Sequence, residues 1–209
     1  MENNTVAIIL AGGKSQRMGV AKGLLKYEKT FWVLEQINKL SQSGVQKVYV
    51  GLGYNYQHYF WAIDWFERAT KECVKFMGTD VRVIINPNPD NGTFSTLQTV
   101  LNTVNSNCSV LINPIDVPIL NSKELSRIIK NDNLVTRPSF QGKNGHPIKL
   151  NSSFWNSFTN IDIENEMARL DLQIKDLASN KITTIQVEDN SVTKNLNTPS
   201  DWKQYLKDN

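Results

Sequence analysis

Apolar positions along the chain fall into short runs with two different periods. Thr5–Leu10 is a continuous apolar run that stops at Gly12-Gly13, which predicts a buried strand. From Phe31 to Leu40 the apolar residues Val33, Leu34, Ile37 and Leu40 recur at helical spacing, and the pattern ends toward Gly44. Val45–Val50 and Val81–Ile85 read as further strands, closed by Gly51 and Gly53 in one case and by Asn86-Pro87-Asn88-Pro89 in the other. Thr96–Val104 predicts a helix, and Val110–Asn113 a strand stopped by Pro114. Ser122–Lys130 reads as a helix with Ser122 as its N-cap. Leu134–Arg137 and Pro147–Leu150 predict strands, Asn165–Leu177 a helix and Ile182–Val187 an alternating strand. A last helix opens at Thr198-Pro199-Ser200-Asp201, with Thr198 capping, Pro199 in the first turn and Asp201 completing the box.

Strands separated by helices predict an α/β fold: a Rossmann-like, three-layer domain whose mostly parallel sheet is covered on both faces by right-handed crossovers. No linker, low-complexity stretch or repeat interrupts the sequence, so a single domain over 1–209 is expected. In such folds the ligand crevice lies beyond the carboxyl ends of the strands. The loops after Leu10, Ile85, Asn113 and Val187 therefore matter most.

Composition removes several classes of function. The charge of +3 is scattered among acids, and no Arg-rich segment suggests a nucleic-acid groove, so no nucleic-acid partner is expected. No apolar run approaches the roughly 20 residues of a membrane helix. The Val6–Leu10 run is too short for a signal h-region and lacks a basic lead, so a cytoplasmic protein without a membrane partner is expected. Cys73 and Cys108 lack metal-ligand spacing and are expected to be buried, reduced thiols. The sequons at Asn91 and Asn107 follow from an Asn-rich composition.

The loop after the first strand reads Leu10-Ala11-Gly12-Gly13-Lys14-Ser15-Gln16-Arg17-Met18-Gly19. It is not a Walker loop, because Ile8 stands where that motif needs glycine. The Gly51-Leu52-Gly53 step fails as a dinucleotide fingerprint, because Tyr56 stands at the third glycine position. Adjacent glycines still let backbone N–H groups approach an anion, and Lys14, Arg17 and Lys22 supply positive charge. Taken alone, the pair is either a phosphate site or a tight turn.

The longer pattern from Leu10 to Leu25, Leu-Ala-Gly-Gly-x-Ser-x-Arg-Met-Gly-x-x-Lys-x-Leu-Leu, resembles the signature of MobA/MocA-like nucleotidyltransferases. That resemblance implies a domain of the nucleotide-diphospho-sugar transferase type and assigns nucleotide contacts to Leu10, Ala11, Gly12, Gly13, Arg17 and Lys22. Asn86-Pro87 with Gly92-Thr93-Phe94-Ser95-Thr96-Leu97 is similar to the family's Asn-Pro … Gly-Met-x-Ser-Ser-Leu segment, which implicates Asn86 and Ser95. Asp116, in Asp116-Val117-Pro118, resembles the family's metal-binding Asp-x-Pro step, and a hard Mg2+ wants such an oxygen ligand. Asn195-Leu196-Asn197-Thr198-Pro199 resembles the ending whose first position completes the metal site, here Asn195. Gly145-His146-Pro147 is similar to the acceptor-side stretch of the family, where His146 either touches acceptor or phosphate or braces the turn.

The resemblance runs from Val6 to about Trp202 and implies transfer of a nucleoside monophosphate from a Mg2+-bound NTP to a phosphorylated acceptor, with pyrophosphate released. Arg17, Lys22 and Asp116 would be its catalytic residues, CTP or GTP its nucleotide, and molybdopterin the leading acceptor in a molybdenum cofactor pathway. A cytidylyltransferase is favoured because Asn86-Pro87 and Gly145-His146-Pro147 match that side of the family; a guanylyltransferase or a sugar-phosphate nucleotidylyltransferase is the alternative, and a non-catalytic nucleotide sensor the alternative of another class. Tyr59, Phe60, Trp61, Trp65 and Phe66, at helical spacing, are expected to pack inward. Were that face exposed, it would serve as a homo-oligomer contact or a lid over the acceptor.

Overall fold

Every residue of the first strand is buried, as a strand covered on both faces requires. The computed structural model describes residues 4–208; residues 1–3 and 209 of the expected domain lie outside the described residues. Strands β1 (Thr5–Ala11), β2 (Lys26–Tyr27), β3 (Thr30–Phe31), β4 (Lys47–Leu52), β5 (Val74–Phe76), β6 (Thr79–Ile85), β7 (Ser109–Pro114), β8 (Val135–Phe140), β9 (Lys143–Asn144), β10 (Ile148–Leu150) and β11 (Ile182–Gln186) are interleaved with helices. The helices are α1 (Trp32–Gln42), α2 (Tyr56–Ala62), α3 (Gly92–Leu101), α4 (Ser122–Ile129), α5 (Ser152–Trp155), α6 (Leu170–Lys175) and α7 (Pro199–Asp208).

Among the described residues the main sheet has nine strands in the order β11-β8-β10-β7-β1-β4-β6-β5, with β9 paired to β8. β7, β1, β4 and β6 are mutually parallel, whereas β10 runs antiparallel between β7 and β8. Side chains of β1 alternate between two cores. Ala7, Ile9 and Ala11 pack with Ile37 of α1, Ile128 of α4 and Trp202 of α7. Val6, Ile8 and Leu10 pack with Leu97 of α3, Trp155 of α5 and Ile174 of α6. The three-layer α/β expectation holds. The chain passes from β1 to β4 and β6 on one side and then returns to β7 on the other. That reversal opens a crevice at the carboxyl ends of β1 and β7.

Local chemistry shifts several boundaries. The cap of α4 is Asn121, whose Oδ1 accepts from the Glu124 amide at 3.0 Å, one residue ahead of the expected Ser122. The late helix starts only at Leu170, because Asn165 folds the chain into turns, its Oδ1 accepting from the Met167 amide at 2.8 Å. Cys108 is buried as expected, but Cys73 is exposed. In the aromatic segment, Tyr59 and Phe66 are fully buried with stacked rings 5.9 Å apart, and Phe60 and Trp65 are half-buried against the core. Trp61 departs from the expectation and is 77 % exposed. Among the described residues no helix is long and apolar enough to cross a membrane.

Candidate active site

Two neighbouring strands deliver the two halves of the site. Leu10 of β1 lies opposite Pro114 of β7, and the Ile115 amide donates to the Leu10 carbonyl at 2.9 Å. The glycine loop and the Asp116 turn therefore leave the sheet side by side. The Asp116 turn is fixed from beneath. Trp32 Nε1 donates to the Ile115 carbonyl at 2.8 Å, and the Ile119 amide donates to Gln36 Oε1 at 2.8 Å. Asn113, 1 % exposed, spans the turn from inside by donating to the Pro114 and Val117 carbonyls at 2.9 and 2.7 Å.

Lys22 reaches across to this turn. Its Nζ donates to Asp116 Oδ2 at 2.9 Å and to Asn197 Oδ1 at 2.7 Å, and the two charged side chains are only 13 % and 23 % exposed. Backbone contacts set its position: the Lys22 amide donates to Ser15 Oγ at 3.3 Å, and Gly23 lies so close to Tyr59 that a Cβ there would stand 2.6 Å from the phenol oxygen. The aromatic segment thus supports the lysine turn.

Asn197 is set by the cap of α7. The amides of Asn197 and Thr198 donate to Asp201 Oδ2 at 3.0 and 2.7 Å, and the Asp201 amide donates to Thr198 Oγ1 at 3.2 Å. The Thr198 side chain first, and then the Thr198 and Asn197 amides, hold the Asp201 carboxyl below its usual range. The Leu196 amide donates to the Asp116 carbonyl at 2.8 Å and pins the segment to the site. Of the two asparagines in this motif, the one facing Asp116 is Asn197. Asn195 is exposed and lines a separate depression with Lys194, Gln204 and Asp208. Among the described residues no group of three or more His, Cys, Asp or Glu side chains could hold a metal ion. One carboxylate and one amide oxygen instead suit a hard cation that brings further ligands on a substrate.

A cleft of about 540 Å³ runs from Asp116 and Lys22 along Gly12 and Gly13 to Lys14, Tyr54 and Asp90. Gly12 is required by packing, since a Cβ there would lie 2.7 Å from Thr96 Oγ1. Gly13 has nothing within 4 Å of such a Cβ and borders open space. At the far end Lys14 Nζ stands 3.2 Å from Asp90 and 4.6 Å above the Tyr54 ring, while the Tyr54 hydroxyl donates to Asp90. These three residues join the loops after β1, β4 and β6. Tyr54 and Asp90 hold the Lys14 ammonium above its usual pKa, and Tyr54 and then Lys14 hold the Asp90 carboxyl below its own. The sequence marks Lys14 only by its charge and carries no local signature for Tyr54, Asp90 or Asn113.

Of the other expected residues, only Leu10 lines the cleft, and the rest lie around it. Asn86, 4 % exposed, donates to Ser95 Oγ at 2.8 Å and Thr96 Oγ1 at 3.0 Å and accepts from the Asn88 amide at 2.9 Å. Ser95 donates to the Gly92 carbonyl at 2.8 Å. Both side chains lock the entrance of α3, whose first residues Gly92 and Thr93 line the cleft. Arg17 is exposed, and its charge bears on Asp201. Leu10 lines the cleft floor, and Ala11 is buried in the sheet beside it.

A second cavity of about 460 Å³ adjoins the first through Leu10, Gly92, Thr93 and Pro114. Its walls are Phe94, Leu97, Ile112, Ile148, Ala168 and Ile174, with the Arg169–Asp171 ion pair at 2.8 Å on its lining. His146 also lines it. The turn at His146 is held by backbone, the Gly145 amide bonding Pro138 at 3.0 Å and the His146 amide bonding Val192 at 3.2 Å. The His146 Nδ1 is buried without a partner in the structure, and burial pushes the ring's pKa down against the opposing pull of the Ile112 backbone and then of Asp116.

Residues 7–177 match the model of the MobA-like NTP transferase domain. No curated protein matches the chain in sequence. Similar solved structures include Rv0371c from Mycobacterium tuberculosis H37Rv, with a TM-score of 0.75 at 19 % identity over 98 % of this chain and 97 % of that one. The manganese complex of Rv0371c aligns with a TM-score of 0.70 at 18 % identity, over 98 % of each chain. A nucleotidyl transferase from Methanothermobacter (Mth528) has a TM-score of 0.74 at 17 % identity, over 99 % of this chain and 97 % of its own. The inositol-1-phosphate CTP transferase of T. maritima has 0.70 at 11 %, over 98 % and 94 %. At these identities the likeness is one of fold.

Proposed function

The chain belongs to the MobA-like NTP transferase family and is a nucleotidyltransferase, and from that premise we propose that it moves a nucleoside monophosphate from a Mg2+-bound NTP to a phosphorylated acceptor. The observation that carries this reading is the approach of Lys22 Nζ to Asp116 Oδ2, 2.9 Å apart, at the mouth of the Gly12-Gly13 loop. The NTP, CTP or GTP, lies along the larger cleft with its phosphates near Lys22 and its base toward Tyr54 and Asp90. Acceptor oxygen attacks the α-phosphorus in line, a P–O bond forms, the α–β bridging bond breaks, and pyrophosphate leaves with the electron pair.

Asp116 and Asn197 would hold the divalent ion, which neutralises phosphate charge when bound. The manganese complex of the related Rv0371c supports a divalent ion here. Lys22 stabilises charge on the phosphoryl oxygens, the α3 entrance orients the nucleotide, and Arg17 adds positive field from the rim. Positioning and electrostatics supply most of the acceleration. An acceptor phosphate monoester is already anionic near neutral pH, so no side chain has to take its proton.

The second cavity holds the acceptor. Its apolar walls suit the flat faces of a heterocycle such as molybdopterin better than the hydroxyl-bearing faces of a sugar phosphate, and His146 and Arg169 on the lining can meet the polar edge of such a ring. The test is pyrophosphate release across the four NTPs, each with molybdopterin or a sugar phosphate. Release with CTP or GTP and molybdopterin is expected. Tight nucleotide binding with no release under any pairing would leave a nucleotide sensor in place of the enzyme.

A further inference from the structure

The two oxygens best suited to a divalent ion already hold a cation. The Lys22 ammonium lies 2.9 Å from Asp116 Oδ2 and 2.7 Å from Asn197 Oδ1, in a pocket where both charged side chains are mostly shielded from water. Resting on the reading of this cleft as a metal–nucleotide site, we infer that Lys22 is an internal counter-cation that closes the metal position in the free protein, so that the divalent ion and the nucleotide enter together.

Three observations carry the inference. First, no other acid can take over from Asp116. Asp90 is engaged by Tyr54 and Lys14, Asp201 is engaged by the amides of Asn197 and Thr198, and no acidic cluster exists among the described residues. An ion arriving alone would have to displace an ammonium from its one carboxylate and would gain only that carboxylate and an amide.

Second, the walls around the contact are fixed while the lysine head is not. Asp116 sits on a turn clamped by Trp32, Gln36 and Asn113, and Asn197 sits on the capped start of α7. Lys22 has its backbone tied to Ser15 and its neighbour Gly23 wedged against Tyr59. The ammonium ends a flexible four-carbon stem and can turn without moving the backbone.

Third, the cleft that begins at this contact runs along the open loop at Gly13, which leaves room for an anionic chain. A triphosphate supplies the oxygen ligands that the protein lacks and an anionic partner for the released ammonium. Neither is available to the bare ion. Metal affinity and nucleotide affinity are then coupled, and by linkage the coupling is equal in both directions.

The experiment is a Mn2+ titration without nucleotide, read by electron paramagnetic resonance of the free ion, on the wild type and on Lys22→Met and Lys22→Gln. Even screened as in bulk water, a unit charge about 4 Å from a divalent ion changes its affinity by roughly tenfold or more. Each Lys22 variant is therefore expected to bind one Mn2+ at least about tenfold more tightly than the wild type, and adding Asp116→Asn should abolish the gain. Either variant suffices if the other does not fold, as judged by circular dichroism. Equal Mn2+ affinity in the wild type and the folded variants would overturn the inference, as would no binding in any of them. Equal affinity alongside active pyrophosphate release would leave the functional reading standing, so the two fail separately.

Discussion

The indole of Trp32 donates to the carbonyl of Ile115 at 2.8 Å, so the first helix grips the peptide unit next to Asp116. Trp32 is fully buried among Tyr27, Trp202 and Tyr205. Trp32→Phe keeps an aromatic ring but leaves a buried carbonyl without its donor, a loss of about 1–3 kcal/mol. Thermal unfolding should shift down accordingly. Turnover should fall more than nucleotide affinity, because the carboxylate is displaced and the glycine loop is not.

Removal of either member of the central contact should separate chemistry from folding. Lys22→Ala or Asp116→Ala is expected to lower kcat by about 10²–10³-fold, the size of effect seen when one preorganised active-site hydrogen-bond donor is removed. Circular dichroism should be unchanged. A folded Asp116→Ala protein with wild-type turnover would remove Asp116 from the mechanism.

The two loop glycines should respond differently. Gly12→Ala places a methyl 2.7 Å from Thr96 Oγ1, which is itself held by Asn86. A destabilisation of about 1–3 kcal/mol is expected, partly relieved by adding Thr96→Ala. Gly13→Ala meets nothing within 4 Å, so its melting temperature should match the wild type while the nucleotide dissociation constant rises. Calorimetry reads both quantities.

His146 gives the stability curve a signature in mildly acid solution. Burial holds its folded pKa below the ordinary 6.5, so between those values the unfolded chain binds more protons than the native one. Stability is therefore full above pH 6.5 and declines as the pH falls toward the folded value. His146→Gln should flatten that decline in urea titrations taken between neutral and acid pH. An identical slope in the variant would show that the imidazole is not the group responsible.

Within the aromatic segment, burial decides the outcome. Phe66→Ala empties a fully buried site and should cost about 3–5 kcal/mol. Trp61 is 77 % exposed, so Trp61→Ala should leave stability within about 0.5 kcal/mol and turnover unchanged. A drop in size-exclusion mass for Trp61→Ala would assign that ring to a contact between copies.

The parts of the site legible in the sequence are those whose chemistry is local. The Leu10–Leu25 pattern follows one strand directly and Asp116 follows another, so periodicity puts both at strand carboxyl ends, and the family resemblance singles out their residues. What sequence could not resolve depends on distant partners. Asn195 and Asn197 are two residues apart in the same motif, and the choice between them is made by the Asp201 cap and the buried Leu196. Asn86 and Ser95 have the right types for a ligand contact, yet the close seat of Gly12 on Thr96 turns them inward to lock α3. The Lys14–Tyr54–Asp90 group is assembled from three loops and has no signature within any one of them. The antiparallel β10 was likewise invisible, because its short apolar run carries no direction.

Asn197 stands 175 positions after the lysine it touches. A ribosome-bound chain can pair β1 with β7 long before residue 197 has emerged, but it cannot finish the contact of Lys22 with Asp116 and Asn197. Competence is therefore gained only once residue 197 has emerged. A product cut short between Gln186 and Asn197 would contain every strand of the sheet and lack the amide that completes the contact.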